Sequence, residues 1–519
     1  MYKKVIKVLG VMVLSLFCVN GALEAMGREK EKKKPNILFI LSDDHTSQAW
    51  GVYGGLLKDY VTSPNISRLA DEGIVLDNCF CTNSICTPSR AAILTGKHSH
   101  KNKVYNLSHN LDRQQQNVAK ILQKDGYQTA VIGKWHLYTK PSGFDYFNVL
   151  PGQGRYHNPL LKSEEGWVDG HDGGIEYKGF STDVITEQSI KWMKNRDKDR
   201  PFMMMCHFKA THEPFDYPER YKDLYKDIEI PEVESLFEFD NAESGRTING
   251  QTLEELAKRY TKNKQAYYPD MPFSVEGLDS VQLRKKVYQK LVKDFMRSGA
   301  AIDDNIGKLL EFLDEEGLAE NTIVIYTADQ GYYLGEHGFF DKRLMYEESL
   351  RMPFVIRYPG EIPAKKRNDD LIQNIDFAPT LLDYAGIDTP PDMQGMSFRN
   401  NLTGNTSKDW RNAIYYRYWM HQTNRPAHFG IRNHRYKLIF FYGSPLDFKK
   451  VSKKSTTPSW EFYDLMNDPR EMYNAYNNPE YAKIIASMKD ELLKLRKDIG
   501  DTDEEWPQMQ EIIDKHWNK

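Results

Sequence analysis

The chain is 519 residues long, 40% apolar and 12% aromatic, which is enough to bury a substantial core and to divide into more than one domain. Its formal net charge of −3 excludes a global positive field of the kind that gathers nucleic acid or other polyanions. An anionic substrate must therefore be met by a local basic pocket.

Residues 1–25 read as a secretory signal peptide: Lys3, Lys4 and Lys7 precede an apolar run from Val8 to Val19, and Gly21, Ala22 and Ala25 supply small residues for cleavage. The run is too short for a stable membrane span. Bulky Phe17 ahead of Cys18 argues against lipidation there. Residues 26–34 read as a charged leader, so the mature chain is expected to be exported, periplasmic or secreted. Beyond Cys18 the cysteines are Cys79, Cys81, Cys86 and Cys206, which imply no disulfide framework.

Asn36 to Ser42 is a short apolar run that predicts a buried strand delivering Asp43, Asp44 and His45 to its carboxyl end. Pro64 to Ala70 opens a helix closed by Gly73. The stretch Cys86-Thr87-Pro88-Ser89-Arg90-Ala91-Ala92-Ile93-Leu94-Thr95-Gly96 then sets a thiol ahead of a helical segment. Asn117 to Lys124 predicts a second helix, and Val131 to Leu137 a strand running into a loop with Lys134 and His136. Phe202 to Phe208 is another apolar strand that leads to His212; His207 within it reads as a satisfied core histidine. Ser280 to Leu313 predicts a long helix. Thr322 to Thr327 predicts a strand delivering Asp329, Gln330 and Gly331, followed by a loop carrying Asp341, Lys342 and Arg343.

Alternating strands and helices predict an α/β fold, a mostly parallel sheet covered on both faces. In such sheets ligands bind outside the carboxyl ends of the strands, where both acidic pairs fall. Asp43, Asp44, Asp329 and the Gln330 amide form an all-oxygen anionic set. That set suits a hard divalent cation, Ca²⁺ or Mg²⁺, rather than zinc. Residues 35–390 are read as the catalytic domain. Gly386 to Gly404, rich in Pro, Gly and Asn, is the passage to a smaller α+β subdomain at 405–519. There 413–418, 429–432 and 436–442 predict antiparallel strands and 479–500 a helix.

The segment from Cys86 to Gly96 resembles the signature that maturation enzymes read in type I sulfatases, in which the family's Cys is oxidised to Cα-formylglycine. Gly133-Lys134-Trp135-His136 is similar to a second motif of that family. The resemblance implies the alkaline-phosphatase-like fold, a formylglycine-generating enzyme as partner, and one Ca²⁺ held by Asp43, Asp44, Asp329 and Gln330 together with residue 86, Cys86 as encoded; many relatives have Asn at the position of Gln330. It further implies that Arg90 orients the hydrated aldehyde, that Lys134 and His136 face the formylglycine and the sulfate, and that His212 and Lys342 lie in the sulfate pocket. One geminal hydroxyl of such a hydrate can attack sulfur, and the other can later lose its proton to expel sulfate. Fixed cations would stabilise the developing charge while one acid protonates the leaving alkoxide.

Phosphatases and phosphonate hydrolases of the same superfamily form an alternative. The phosphatases typically hold two metals and use a Ser or Thr nucleophile, whereas this chain has Cys86 and Asp329-Gln330. A glycan-binding protein with a dead site is disfavoured by the intact charged set. The loops 151–159, 341–343 and 425–430 look similar to elements of bacterial N-acetylglucosamine-6-sulfatases, which implies an exo-acting enzyme on sulfated glycans. In that reading Asp341, Arg343 and His428 hydrogen-bond sugar hydroxyls. The sequence leaves galactose, N-acetylgalactosamine and uronate sulfates open.

Overall fold

The computed structural model describes residues 33–237, 251–263 and 267–519. The signal peptide and most of the charged leader lie outside the described residues. Eight strands form the central sheet: β1 (Asn36–Asp43), β2 (Ile74–Leu76), β3 (Gln128–Lys134), β4 (Tyr146–Leu150), β5 (Phe202–Thr211), β6 (Thr322–Ala328), β7 (Phe354–Arg357) and β8 (Lys366–Asn368). Their order across the sheet is β8-β2-β7-β6-β1-β5-β3-β4. Among the described strands of this sheet only β7 runs against the others; it pairs antiparallel with β2 and β6. β1 sits at the centre, parallel to β6 on one side and β5 on the other.

The apolar runs are continuous because both sheet faces are covered. Ile37, Phe39 and Leu41 point into one layer together with Met203, Met205, Ile323 and Ile325. Leu38 and Ile40 point into the other with Met204, Cys206, Val324 and Tyr326. The first layer holds α2 (Cys86–Thr95), α3 (Val118–Lys124) and α6 (Phe377–Tyr384); the second holds α1 (Pro64–Asp71), α4 (Ser181–Lys194) and α5 (Ser280–Glu315). α5 is started by a capping box, in which Asp279 accepts from the Gln282 amide and Gln282 returns a bond to the Asp279 backbone.

A second sheet follows, with β9 (Ala413–Tyr418), β10 (His428–Asn433), β11 (Tyr436–Phe441) and β12 (Ser459–Asp464) in antiparallel order. It adds one strand, β12, to the three expected. α7 (Ala482–Ile499) and α8 (Pro507–His516) cover one of its faces. The other face, with Ile414, Tyr416, Tyr418, Ile439 and Phe441, shares the apolar layer of α2. This contact brings loops of the second sheet to the carboxyl end of the first. No helix among the described residues is long and apolar enough to cross a membrane.

Candidate active site

β1 ends at Asp43 and β6 ends one residue before Asp329, and the two strands are neighbours. The adjacency of β1 and β6 gathers Asp43, Asp44 and Asp329, whose carboxylate oxygens lie within 4.8 Å of one another. All three are buried. Asp44 turns back from the strand in the left-handed region, φ 66°, and its amide donates to Asp329 Oδ1 at 3.1 Å. Gln330 Nε2 donates to Asp44 Oδ1, while Gln330 Oε1 is buried with no hydrogen-bond partner. An orphaned amide oxygen beside three buried carboxylates is a donor set fitted to a hard cation.

Cys86 is the first residue of α2. Its helix tolerates Pro88 in the first turn and closes at Gly96, φ 65°. The Cys86 thiol donates to Asp43 Oδ1 at 3.2 Å, and Gln330 Nε2 stands 3.6 Å from Sγ. Burial pushes the thiol up to about 12, with Lys342 pulling the other way. As encoded it is protonated at neutral pH and a poor nucleophile. Arg90, one turn on, donates through Nε to Asp329 Oδ2 at 2.8 Å and through Nη1 to the Lys134 carbonyl at 2.6 Å.

Lys134 closes β3. Its ammonium contacts Asp43 Oδ2, reaches Gln153 Oε1 at 2.5 Å and lies 4.0 Å from Cys86 Sγ. The preceding Gly133 has φ 102°, and a Cβ there would stand 1.9 Å from the His207 carbonyl oxygen, so only glycine lets β3 approach β5 at this point. Gly331 answers a similar need, since its Cβ would stand 2.0 Å from the Glu348 carbonyl oxygen. Lys342 contacts both oxygens of Asp44. Burial opposes its charge, yet Asp44 and the neighbouring acidic groups hold the ammonium above the usual lysine range. Burial also pushes Asp44 up to about 6, against the pull of Lys342.

His212 Nδ1 donates to the Glu213 carbonyl at 2.7 Å, which leaves Nε2 facing the site, 3.9 Å from Asp44 Oδ2. His136 is paired through Nε2 with the Tyr138 hydroxyl at 2.9 Å, and its Nδ1 has no partner. Burial, followed by Lys134, holds both imidazoles well below their ordinary range. His136, Asp341 and Arg343, like Asp44, adopt positive φ (54°, 79° and 104°), a concentration of left-handed backbone typical of functional sites.

A cavity of about 230 Å³ opens on this cluster, lined by Asp44, Cys86, His212 and Lys342 together with Asp341 and Arg343. Arg343 Nε donates to Asp341 Oδ2 at 2.9 Å. His428, expected to reach sugar, does not line this cavity. It lies fully buried in β10 against Tyr416, Tyr418 and Phe441, with ring centroids 4.8 to 5.7 Å away and Nδ1 donating to the Pro426 carbonyl at 2.8 Å. The 425–430 loop does reach the cavity, through Arg425 instead. Gln153, from the 151–159 loop already singled out by resemblance, also lines it, as do Glu213, Arg259 and Tyr332, which were not named as site residues from sequence, since loop residues carry no periodic signal. A larger cavity of about 670 Å³, around Arg68, Glu72 and Arg357, lies toward the amino ends of the parallel strands and contains none of these residues.

A protein-family profile described as sulfatase matches residues 35–387, and one described as N-sulphoglucosamine sulphohydrolase, C-terminal, matches residues 335–498. The chain is 38% identical to an N-acetylglucosamine-6-O-sulfatase of Bacteroides thetaiotaomicron, over 95% of this chain and 91% of that one. It is 27% identical to the human N-acetylglucosamine-6-sulfatase over 78% and 71% of the two chains. A protein solved in complex with its substrate D-glucosamine-2-N,6-O-disulfate superimposes with a TM-score of 0.79 at 38% identity, covering 92% of this chain and 100% of that one. Phosphonate monoester hydrolase of Agrobacterium radiobacter, at 20% identity and a TM-score of 0.67, shares the fold alone. The matched region runs across β1, α2, β3 and β6, the elements that bring the acidic cluster, the thiol and the lysines together, and the chain accordingly belongs to the sulfatase family, hydrolases of sulfuric esters.

Proposed function

We propose that the enzyme is an exported, exo-acting carbohydrate O-sulfatase that removes the 6-O-sulfate of a terminal N-acetylglucosamine in a sulfated glycan. The observation that carries this reading is the single cavity shared by Cys86, His212 and Lys342 with Asp341 and Arg343. At about 230 Å³ it is smaller than the roughly 300 to 1,000 Å³ of sites for drug-sized ligands, which suits one sugar residue rather than a chain. The glucosamine-type sulfatases among its relatives support the same sugar.

Cys86 is the residue to be matured to formylglycine, whose hydrate would supply the nucleophilic hydroxyl that the buried, protonated thiol cannot. Asp43, Asp44, Asp329 and Gln330 would hold one Ca²⁺, or Mg²⁺, beside residue 86, supplying a fixed positive charge for the nucleophile and the sulfate oxygens. Lys342, which lines the cavity with its ammonium against Asp44, stands where anionic sulfate oxygens would arrive; Lys134, packed against Asp43 and 4.0 Å from Cys86 Sγ, is assigned to the same anion, although burial pulls its charge well below the usual lysine range. Of the two histidines His212 lines the cavity; with its Nδ1–H held by the Glu213 carbonyl, Nε2 would protonate the leaving sugar oxygen as an imidazolium, the form that an arriving sulfate anion favours over the neutral ring. His136, held by Tyr138, positions the nucleophile. Asp341 and Arg343 orient the sugar hydroxyls.

A panel of 6-O-, 4-O-, 3-O- and 2-O-sulfated N-acetylglucosamine, N-acetylgalactosamine, galactose and uronate tests this reading. Hydrolysis fastest on the 6-O-sulfated N-acetylglucosamine is expected. Faster turnover of a galactose, N-acetylgalactosamine or uronate sulfate, or of any position other than 6-O, overturns the substrate assignment.

A further inference from the structure

Besides Asp44, His212 and Lys342, the cavity is lined by five charged side chains among the described residues: Glu213, Arg259, Asp341, Arg343 and Arg425. Three are cations and two are anions. Arg259 is matched by Glu213, with Nη1 2.6 Å from Oε2. Arg343 and Arg425 are left to share Asp341, and both donate to the same oxygen, Oδ2, at 2.9 and 2.8 Å. One carboxylate cannot neutralise two guanidinium groups.

The two arginines are also unequally satisfied. Arg343 has a further bond to the Tyr418 hydroxyl at 3.2 Å. Arg425 Nε is buried without a hydrogen-bond partner, and burial followed by the push of Arg343 holds its charge below the usual arginine range. A guanidinium with an idle buried N–H and half a counter-ion is costly unless a ligand completes it. In the proposed reading the scissile sulfate would not do so, because its charge would fall to Lys342 and Lys134 beside Cys86.

We infer that Arg425 binds a second anionic group on the glycan, so that the preferred substrate carries an anion in addition to the 6-O-sulfate. The shared chemistry is an oxyanion that guanidinium can grip with two parallel N–H bonds. A sulfamate on C2 of the same sugar and the carboxylate of an adjoining uronate are its two sources. This inference rests on the carbohydrate-sulfatase reading and deepens it.

The test compares kcat/KM of the matured, Ca²⁺-loaded enzyme on four substrates: N-acetylglucosamine-6-sulfate, glucosamine-2-N,6-O-disulfate, a disaccharide of uronate and N-acetylglucosamine-6-sulfate, and an aryl sulfate. At least one dianionic sugar is expected to exceed the monoanionic one by about tenfold or more, and the arm that does so names the source of the anion. That preference should fall as salt rises. Arg425→Met, which keeps length and removes charge, should bring the ratio close to one, and Arg425→Lys should keep part of it. A native ratio near one, or an undiminished ratio in Arg425→Met, overturns the inference and leaves the parent reading intact. Hydrolysis of the aryl sulfate with no turnover of any of the three sugars overturns the parent reading, and this one with it.

Discussion

Arg90 Nε donates to Asp329 Oδ2 at 2.8 Å, while its Nη1 donates to the Lys134 carbonyl at 2.6 Å. One buried guanidinium thus ties the helix that opens with Cys86 to the ends of β3 and β6. Only the planar fork of arginine can serve both acceptors; a lysine ammonium at the same place reaches one. Arg90→Lys is therefore expected to lose nearly all turnover. It should also lose about 3 to 5 kcal/mol of stability, the scale for breaking a buried pair. Denaturant unfolding beside initial rates checks this, and a variant as stable and as fast as the native enzyme would refute the tie.

Metal removal should act on stability as well as on rate. Asp43, Asp44 and Asp329 are packed within 4.8 Å, and a cation relieves their repulsion. Ca²⁺ at a hundredfold excess over its dissociation constant should stabilise the fold by about 2.7 kcal/mol. Chelation should remove that increment together with activity, and Ca²⁺ should restore both better than Zn²⁺. Gln330→Ala, which removes the orphaned oxygen, should weaken Ca²⁺ binding in calorimetry. Full activity in excess chelator, with no shift in melting temperature, would count decisively against the site.

Lys342 and Arg343 are adjacent in sequence but point to different parts of the cavity chemistry. Lys342→Ala is expected to damage aryl sulfate and sugar sulfate alike. Arg343→Met should cost about 1 to 3 kcal/mol more in kcat/KM on the sugar than on the aryl sulfate, the scale of a buried polar partner left unpaired. Identical profiles for the two variants would remove the division of labour.

His428 should affect stability in acid. Burial lowers its pKa from 6.5 to about 4, so its contribution is full above pH 6.5 and is lost as pH falls through 4. The part at stake is on the order of 3 kcal/mol. His428→Phe keeps the ring among Tyr416, Tyr418 and Phe441 and cannot be protonated, so its stability should decline less between pH 6.5 and 4. Parallel stability curves for the two proteins would show that the imidazole does not carry this slope.

The site was legible in the sequence where short apolar runs end in polar residues. Asp43, Lys134, His212 and Asp329 each follow or close such a run, and a parallel sheet brings run ends to one edge. What could not be read was the neighbour order, because pairing β1 with β6 joins residues nearly 290 apart in the chain, as Asn36↔Thr322 shows. His428 was misplaced for a different reason. A histidine beside Gly430 and near Arg425 reads as a loop ligand, but the strand begins at His428 and its alternation sends the ring inward with Tyr416 and Phe441. Arg259 offered no pattern at all, and Arg425 lay in a loop singled out by resemblance without a role of its own, since the meaning of each lies in the carboxylate it pairs with, Glu213 and Asp341.

Every residue of α2 is buried, Cys86 being only 2% exposed. No enzyme can grip that segment as an extended substrate while the helix is seated between the sheet and α6. The proposed conversion of residue 86 would therefore have to come before the chain closes around it. Solvent access would fix the order of events: a maturation enzyme would have to meet the polypeptide as unfolded chain, and a molecule that folds first with its thiol unchanged would be sealed in that state. Preparations should accordingly divide into fully converted and permanently inert molecules, with a ratio set by the race between conversion and folding and not by later incubation with the maturation enzyme.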